Sequence, residues 1–239
     1  MASSSAEKSP PFYARFAGFG LLLMFILAFF GNFFVLEGLI KPGDAATTAN
    51  NIIANELLFR TGITSFIIVL ILDVLVAWAL YILLKPVNKN LALLALLFRL
   101  IYAAIFGASQ YNLLSVLQLV DGTDYLTVFE TDQLHAQVML LINAFNNDWL
   151  IGLVFFGIHL FVVGYLIFKS GFMPRLLGIL LILSSIGYLI DNFAKVLLSN
   201  YNDYQTIFLL IVALPGIIGE LTLAIWLLFN GNKIPEMKS

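Results

Sequence analysis

Four ionisable side chains stand in places where simple solvation does not explain them. Asp73, Arg99, His159 and Glu220 each interrupt a long run of apolar residues. At the centre of an apolar span such groups cost about 2.5–3.5 kcal/mol each on insertion scales, so they usually face one another or water. One guanidinium facing two carboxylates and a neutral imidazole carries a formal charge of −1. That surplus favours uptake of a proton or a small cation. A structural reading stands beside it: Arg99 paired with Glu220 or Asp73 would fix the register of neighbouring helices. A lone histidine such as His159 more often donates to a neighbour than binds a ligand. The residues alone leave both readings open.

A second set falls on shared helical faces. Arg99, Tyr102, Phe106 and Gln110 lie along one face, and Asp148 and His159 along another. Ser184, Tyr188, Asp191 and Lys195 form a third stripe, in which Asp191 and Lys195 stand at i, i+4 and can pair. Gln110, Asp148, Tyr188, Asp191 and Lys195 are therefore candidates for a polar cleft opening outward, with Asn143, Asn146 and Asn147 as further lining. A water-filled vestibule without a ligand accounts for the same residues. Near Glu220, Pro215 removes an amide donor and frees the carbonyl of Ile211. Gly216 and Gly219 would let another backbone approach or let the helix unwind, and broken helices recur at ion sites in membrane proteins.

Catalytic signatures are missing. The sequence has no cysteine and two histidines, His135 and His159, so a multi-histidine intramembrane metal site cannot be assembled, and neither a metal nor a cofactor is expected. It has no HExxH, G-x-S-x-G, P-loop or GxGxxG pattern. A net charge of −2 gives no basic field for nucleic acid.

The elements that position these residues follow from composition. Of 239 residues, 61% are apolar and 11% charged, with 22 Phe, and the mean hydropathy is +0.99. Soluble domains run about 45–50% apolar and about 25% charged, so the solvent is lipid. About 20 apolar residues cross a bilayer as a helix, and six stretches qualify: about 16–36, 61–84, 91–117, 138–168, 172–198 and 207–229. The expectation is an all-α bundle of six transmembrane helices over 12–231, with polar tails at 1–11 and 232–239. Nothing alternates as barrel strands do. The first run is longer than a signal h-region and reads as a retained span. Counting from one end of each span at 1.5 Å per residue, Asp73 lies about 16 Å deep, Arg99 about 12 Å, and His159 and Glu220 about 13 Å. Four helices thus bring ionisable groups to one level.

Lys8, Arg15, Lys85, Lys89, Lys169, Arg175, Lys233 and Lys238 fall on one side of this arrangement, against Lys41, Arg60 and Lys195 on the other. By the positive-inside rule both termini are cytoplasmic. Residues 85–88 and 171–174 read as tight turns. Asp44 reads as the N-cap of a helix over 45–59, which would lie on the membrane surface or lengthen the second span. The fourth span, from Gln133 to Phe168, would be about 50 Å as one helix, so it must project or break, most naturally at Asn146, Asn147 and Asp148.

Residues 14–18 (ARFAG), 42–60 (PGDAATTANNIIANELLFR), 85–100 (KPVNKNLALLALLFRL), 151–191 and 219–231 (GELTLAIWLLFNG) together resemble a bacterial membrane family known as domain of unknown function 4386. The resemblance covers most of the chain in order and implies a multi-pass protein of the bacterial inner membrane. It hands over no activity. The expectation is a membrane protein that binds, and could transport, a small ligand, cation or proton at the Asp73–Arg99–His159–Glu220 level. The alternatives are an enzyme acting on a lipid or small molecule from the outer cleft through Asp148, Asp191 and His135, or an accessory subunit of a membrane complex.

Overall fold

The computed structural model describes residues 9–234; residues 1–8 and 235–239, most of the two expected tails, lie outside them. The first helix, α1 (Pro10–Phe29), continues through a seven-residue π-helical stretch, Phe30–Leu36, into a short α2 (Glu37–Leu39). Then follow α3 (Ala45–Ala54), α4 (Glu56–Leu84), α5 (Lys89–Val120), α6 (Thr131–Ser170), α7 (Arg175–Leu197) and α8 (Gln205–Asn230). Six helices are long and apolar enough to cross a bilayer, and the described residues contain no strand. The chain is an all-α, multi-pass membrane protein. Its large exposed side chains are those lipid would solvate, such as Phe19, Ile26, Phe34 and Ile71.

Two expectations about helix ends resolve. The stretch 45–59 divides at Asn55, whose ψ of 39° interrupts the helix. Its first ten residues form α3, and Glu56 onward belongs to α4. Helix α3 is tied back to the end of α2, since Thr48 Oγ1 accepts from the Lys41 amide at 2.9 Å and Asn51 Nδ2 donates to the Leu39 carbonyl at 3.0 Å. Helix α6, by contrast, runs unbroken through Asn146, Asn147 and Asp148. Asparagine costs a helix only about 0.7 kcal/mol relative to alanine, and a broken turn at membrane depth would orphan backbone groups. Its 40 residues give about 60 Å at 1.5 Å each, twice a hydrocarbon core of about 30 Å, so of the two alternatives the helix takes projection. Asn143, Asn146 and Asn147 are exposed on it rather than lining a cleft, at about 35–40 Å from Ser170.

The contacts divide the described chain into two compact units. One comprises residues 23–71 and 102–152. Its centre is aromatic: Phe66 meets Phe106 edge-on at 5.6 Å, Phe106 stacks on Trp149 at 5.1 Å, and Phe145 completes the cluster. The other comprises residues 9–22, 72–101 and 153–234 and holds all four mid-span ionisable residues. Within it α7 and α8 form a hairpin whose backbones touch. An ideal Cβ on Gly187 would stand 2.5 Å from the Ile211 carbonyl oxygen, the oxygen that Pro215 leaves without its helical donor. The hairpin therefore uses Gly187 and, against the Leu180 carbonyl, Gly219 for close approach, as small residues do where helices associate in lipid, and α8 does not unwind.

Two outcomes follow. Gly187→Ala should destabilise the protein by about 1–3 kcal/mol, as overpacking does, whereas Gly38→Ala, where a Cβ meets nothing within 4 Å, should leave the melting temperature in detergent unchanged or slightly raised. At the start of α3, the Thr47 hydroxyl (2.7 Å) and the Thr47 amide (2.9 Å) donate to Asp44 and hold its carboxyl below the ordinary 3.8. A carboxyl lowered on folding stabilises fully above its unfolded value. Hydrogen-exchange protection of the first α3 amides should accordingly be full above pH 3.8 and fade as the pH falls through the lowered value. In Asp44→Ala that protection should be absent at every pH.

Candidate functional site

Arg99 is the centre of the site. Measured from the ends of α4, α5, α6 and α8, Asp73, Arg99, His159 and Glu220 each lie 10 or 11 residues in, or about 15–16 Å at 1.5 Å per residue. The side chain of Arg99 is 3% exposed and that of Asp73 is fully buried. The guanidinium Nε donates to Asp73 Oδ1 at 2.9 Å, and Nη2 reaches the same oxygen at 2.8 Å. Its Nη1 lies 3.2 Å from His159 Nε2, and His159 Nδ1 lies 2.8 Å from the Ala95 carbonyl oxygen. A carbonyl can only accept, so Nδ1 carries the proton and Nε2 accepts from Arg99; the imidazole is neutral. Three helices are thereby joined through one guanidinium.

The ion pair is lopsided. Both N–H groups converge on Oδ1 rather than forming the parallel fork typical of Arg–carboxylate pairs. Asp73 Oδ2, also buried, has no hydrogen-bond partner among the described residues.

Glu220 is held differently. The Tyr188 hydroxyl donates to Glu220 Oε1 at 3.2 Å, and Arg99 and Asp73 lie within electrostatic reach. Glu220 is partly exposed, unlike the other three. Phe156 stands beside both groups: the Arg99 guanidinium carbon is 5.5 Å from its ring centre, and the Tyr188 ring meets it edge-on at 5.4 Å. One turn of α8 earlier, the Ser184 hydroxyl donates to the Pro215 carbonyl at 2.6 Å, which fixes the backbone that carries Glu220.

The remaining candidates separate. Asp191 and Lys195 pair at 2.6 Å, and Asp191 also accepts from the Tyr201 hydroxyl at 2.6 Å. In the other unit Asp148 accepts from Asn112 Nδ2 at 2.8 Å, and Gln110, which is buried, donates to the Phe106 carbonyl at 3.1 Å. Among the described residues no group of three His, Asp or Glu side chains is placed to hold a metal ion.

The profile of the family described as Domain of unknown function (DUF4386) matches residues 16–231. The chain belongs to this family. A relative of the DUF4386 chain from Archaeoglobus fulgidus is 35% identical over 178 residues, covering 74% of this chain and 88% of its own, and is described as an uncharacterised protein. No solved structure matches.

Sequence reasoning singled out Asp73, Arg99, His159 and Glu220 but missed their partners Phe156 and the Ala95 carbonyl, and it missed Tyr201 and Asn112, which bond Asp191 and Asp148. Phe156 shares a helical face with His159 at i, i+3, so helical phase could have found it. The Ala95 carbonyl carries no side-chain signal. Tyr201 lies in a connecting 3-10 turn, outside any periodicity.

Removing one member of a buried pair strands the other, at about 3–5 kcal/mol. Arg99→Met and Asp73→Asn should each lower the melting temperature in detergent strongly. The double variant Arg99→Met/Asp73→Leu should lie closer to wild type than either single change. Additive losses would mean that the two side chains do not stabilise each other.

Proposed function

We propose that this protein binds a proton or a small cation at Glu220, within the bilayer, and that it exchanges the ion with water as a carrier does. The difference between the two carboxylates carries this reading. Asp73 is buried under a guanidinium, whereas Glu220 is partly exposed and held by a single phenol at 3.2 Å. With Arg99 positive, His159 neutral and both carboxylates ionised, the cluster is one negative charge in excess. In a medium of low dielectric that excess is best relieved by a bound cation or proton. Asp73 and His159 then serve to hold Arg99, and Arg99 biases Glu220 without being consumed by it. The count of eight basic residues against three supports cytoplasmic termini in a plasma membrane.

The test is potentiometric titration of the purified full chain in nanodiscs. Wild type should take up one proton per chain that Glu220→Gln does not, over a range that shifts when sodium or potassium is added if those cations compete for the site. Identical titration of wild type and Glu220→Gln would refute the reading.

A further inference from the structure

The polar residues of α7 bear on the side from which Glu220 exchanges its ion, a step that rests on the reading above. Ser184, Ser185, Tyr188, Asp191, Asn192 and Lys195 follow one another at intervals of one and three residues, which is a single stripe on a helix. Ser184, Ser185, Asp191 and Asn192 are buried, so the stripe faces protein. It covers about 16 Å, half the thickness of a bilayer core. The other half of α7 offers nothing similar: residues 176–183 (LLGILLIL) carry no hydrogen-bonding side chain. Along α7, then, polarity stops one turn before Tyr188, at Ser184, whereas past Tyr188 it continues through Asp191, Asn192 and Lys195 to the turn that holds Tyr201.

Two members of the stripe are bonded to titratable groups. Tyr188 donates to Glu220. One turn nearer the α7–α8 connection, Asp191 is 5% exposed yet bonded to Lys195, whose side chain is 36% exposed, and to Tyr201. Flanking the pair, Ser185 Oγ one turn before Tyr188 and Asn192 Oδ1 next to Asp191 are buried atoms with no hydrogen-bond partner among the described residues. Buried polar atoms of this kind are ordinarily satisfied, commonly by ordered water. The groups around Glu220 itself are Tyr188 from α7, Arg99 from α5 and Asp73 from α4, with His159 of α6 bonded to Arg99.

We infer that the α7 stripe is the proton path between Glu220 and water at the α7–α8 turn, with Asp191 as the receiving carboxylate and Tyr188 as the last donor. Asp191 takes a proton from water at that end and passes it inward. The O–H bond of Tyr188 breaks as its proton moves to Glu220 Oε1, and the phenol oxygen takes up the proton arriving along the stripe. Tyr188 ends as a phenol, Asp191 as a carboxylate and Glu220 as a carboxylic acid. Release runs the same steps backwards.

A path sets a rate without setting the final degree of protonation, so the readout is kinetic. The full chain in nanodiscs is subjected to a rapid pH drop, and the carbonyl stretch of the protonated carboxyl is followed by time-resolved infrared, Glu220→Gln identifying the band. Asp191→Asn should slow the rise of that band by about tenfold or more, as loss of a positioned proton-transfer group does, with its final height kept. Asp191→Glu should restore the rate. Asn192→Leu leaves the ties of Asp191 intact and should also slow the rise; it decides the matter alone if Asp191→Asn does not fold. Wild-type rates in these variants would overturn the path while leaving Glu220 as the binding group. A wild-type band insensitive to Glu220→Gln would remove the reading of Glu220 itself, and the path with it.

Discussion

A guanidinium stays charged at any pH a cell offers, and in lipid it must find its partners among side chains. That constraint organises the centre of this protein. Arg99 cannot neutralise itself, so α4 supplies Asp73 and α6 supplies His159, and His159 in turn is oriented by a carbonyl of α5, the helix that carries Arg99. The imidazole can accept from the guanidinium because its other nitrogen is committed to Ala95. One positive charge thereby fixes a carboxylate, a tautomer and the register of three helices.

Arg99 also divides the two carboxylates into different kinds of group. Asp73 is a counterion, buried and directly bonded. Glu220 is a neighbour of the same charge, with Tyr188 as its hydrogen-bond donor and some access to its surroundings. Two acids at one depth are in this way held differently, one by a guanidinium and one by a phenol. The hairpin of α7 and α8 reinforces the division, because Ser184 bonds the Pro215 carbonyl and holds the backbone that presents Glu220.

Much of this was legible in the residues, for a physical reason: charges in lipid are costly enough that their depth and phase are informative. Counting along six apolar runs brings Asp73, Arg99, His159 and Glu220 to one level, and the i, i+4 spacing of Asp191 and Lys195 anticipates their ion pair. Which acid pairs with Arg99 was not legible, since depth says nothing about azimuth between helices. Nor was the continuity of α6 through Asn146, because sequence signals for a break are weak beside the cost of orphaned backbone groups in lipid. Of the two outcomes read from Pro215, Gly216 and Gly219, the close approach holds, with Gly219 against Leu180, while the freed Ile211 carbonyl packs against Gly187, a contact between helices that local pattern cannot reveal. Asp148 and Gln110 were placed on polar faces, yet their bonding to Asn112 and the Phe106 carbonyl depends on contacts that periodicity does not encode.

The α7–α8 hairpin has a consequence for biogenesis. Its ties, from Gly187 against Ile211 to Tyr201 bonded to Asp191, all connect residues within about one hairpin's length of each other, and such short-range contacts can form without the other helices. A helical hairpin that assembles in this way can enter the bilayer as one insertion unit. Glu220 and Asp191 would then cross into lipid already hydrogen-bonded to Tyr188 and Tyr201. Helices α7 and α8 would then carry their own chaperones for the charges they deliver.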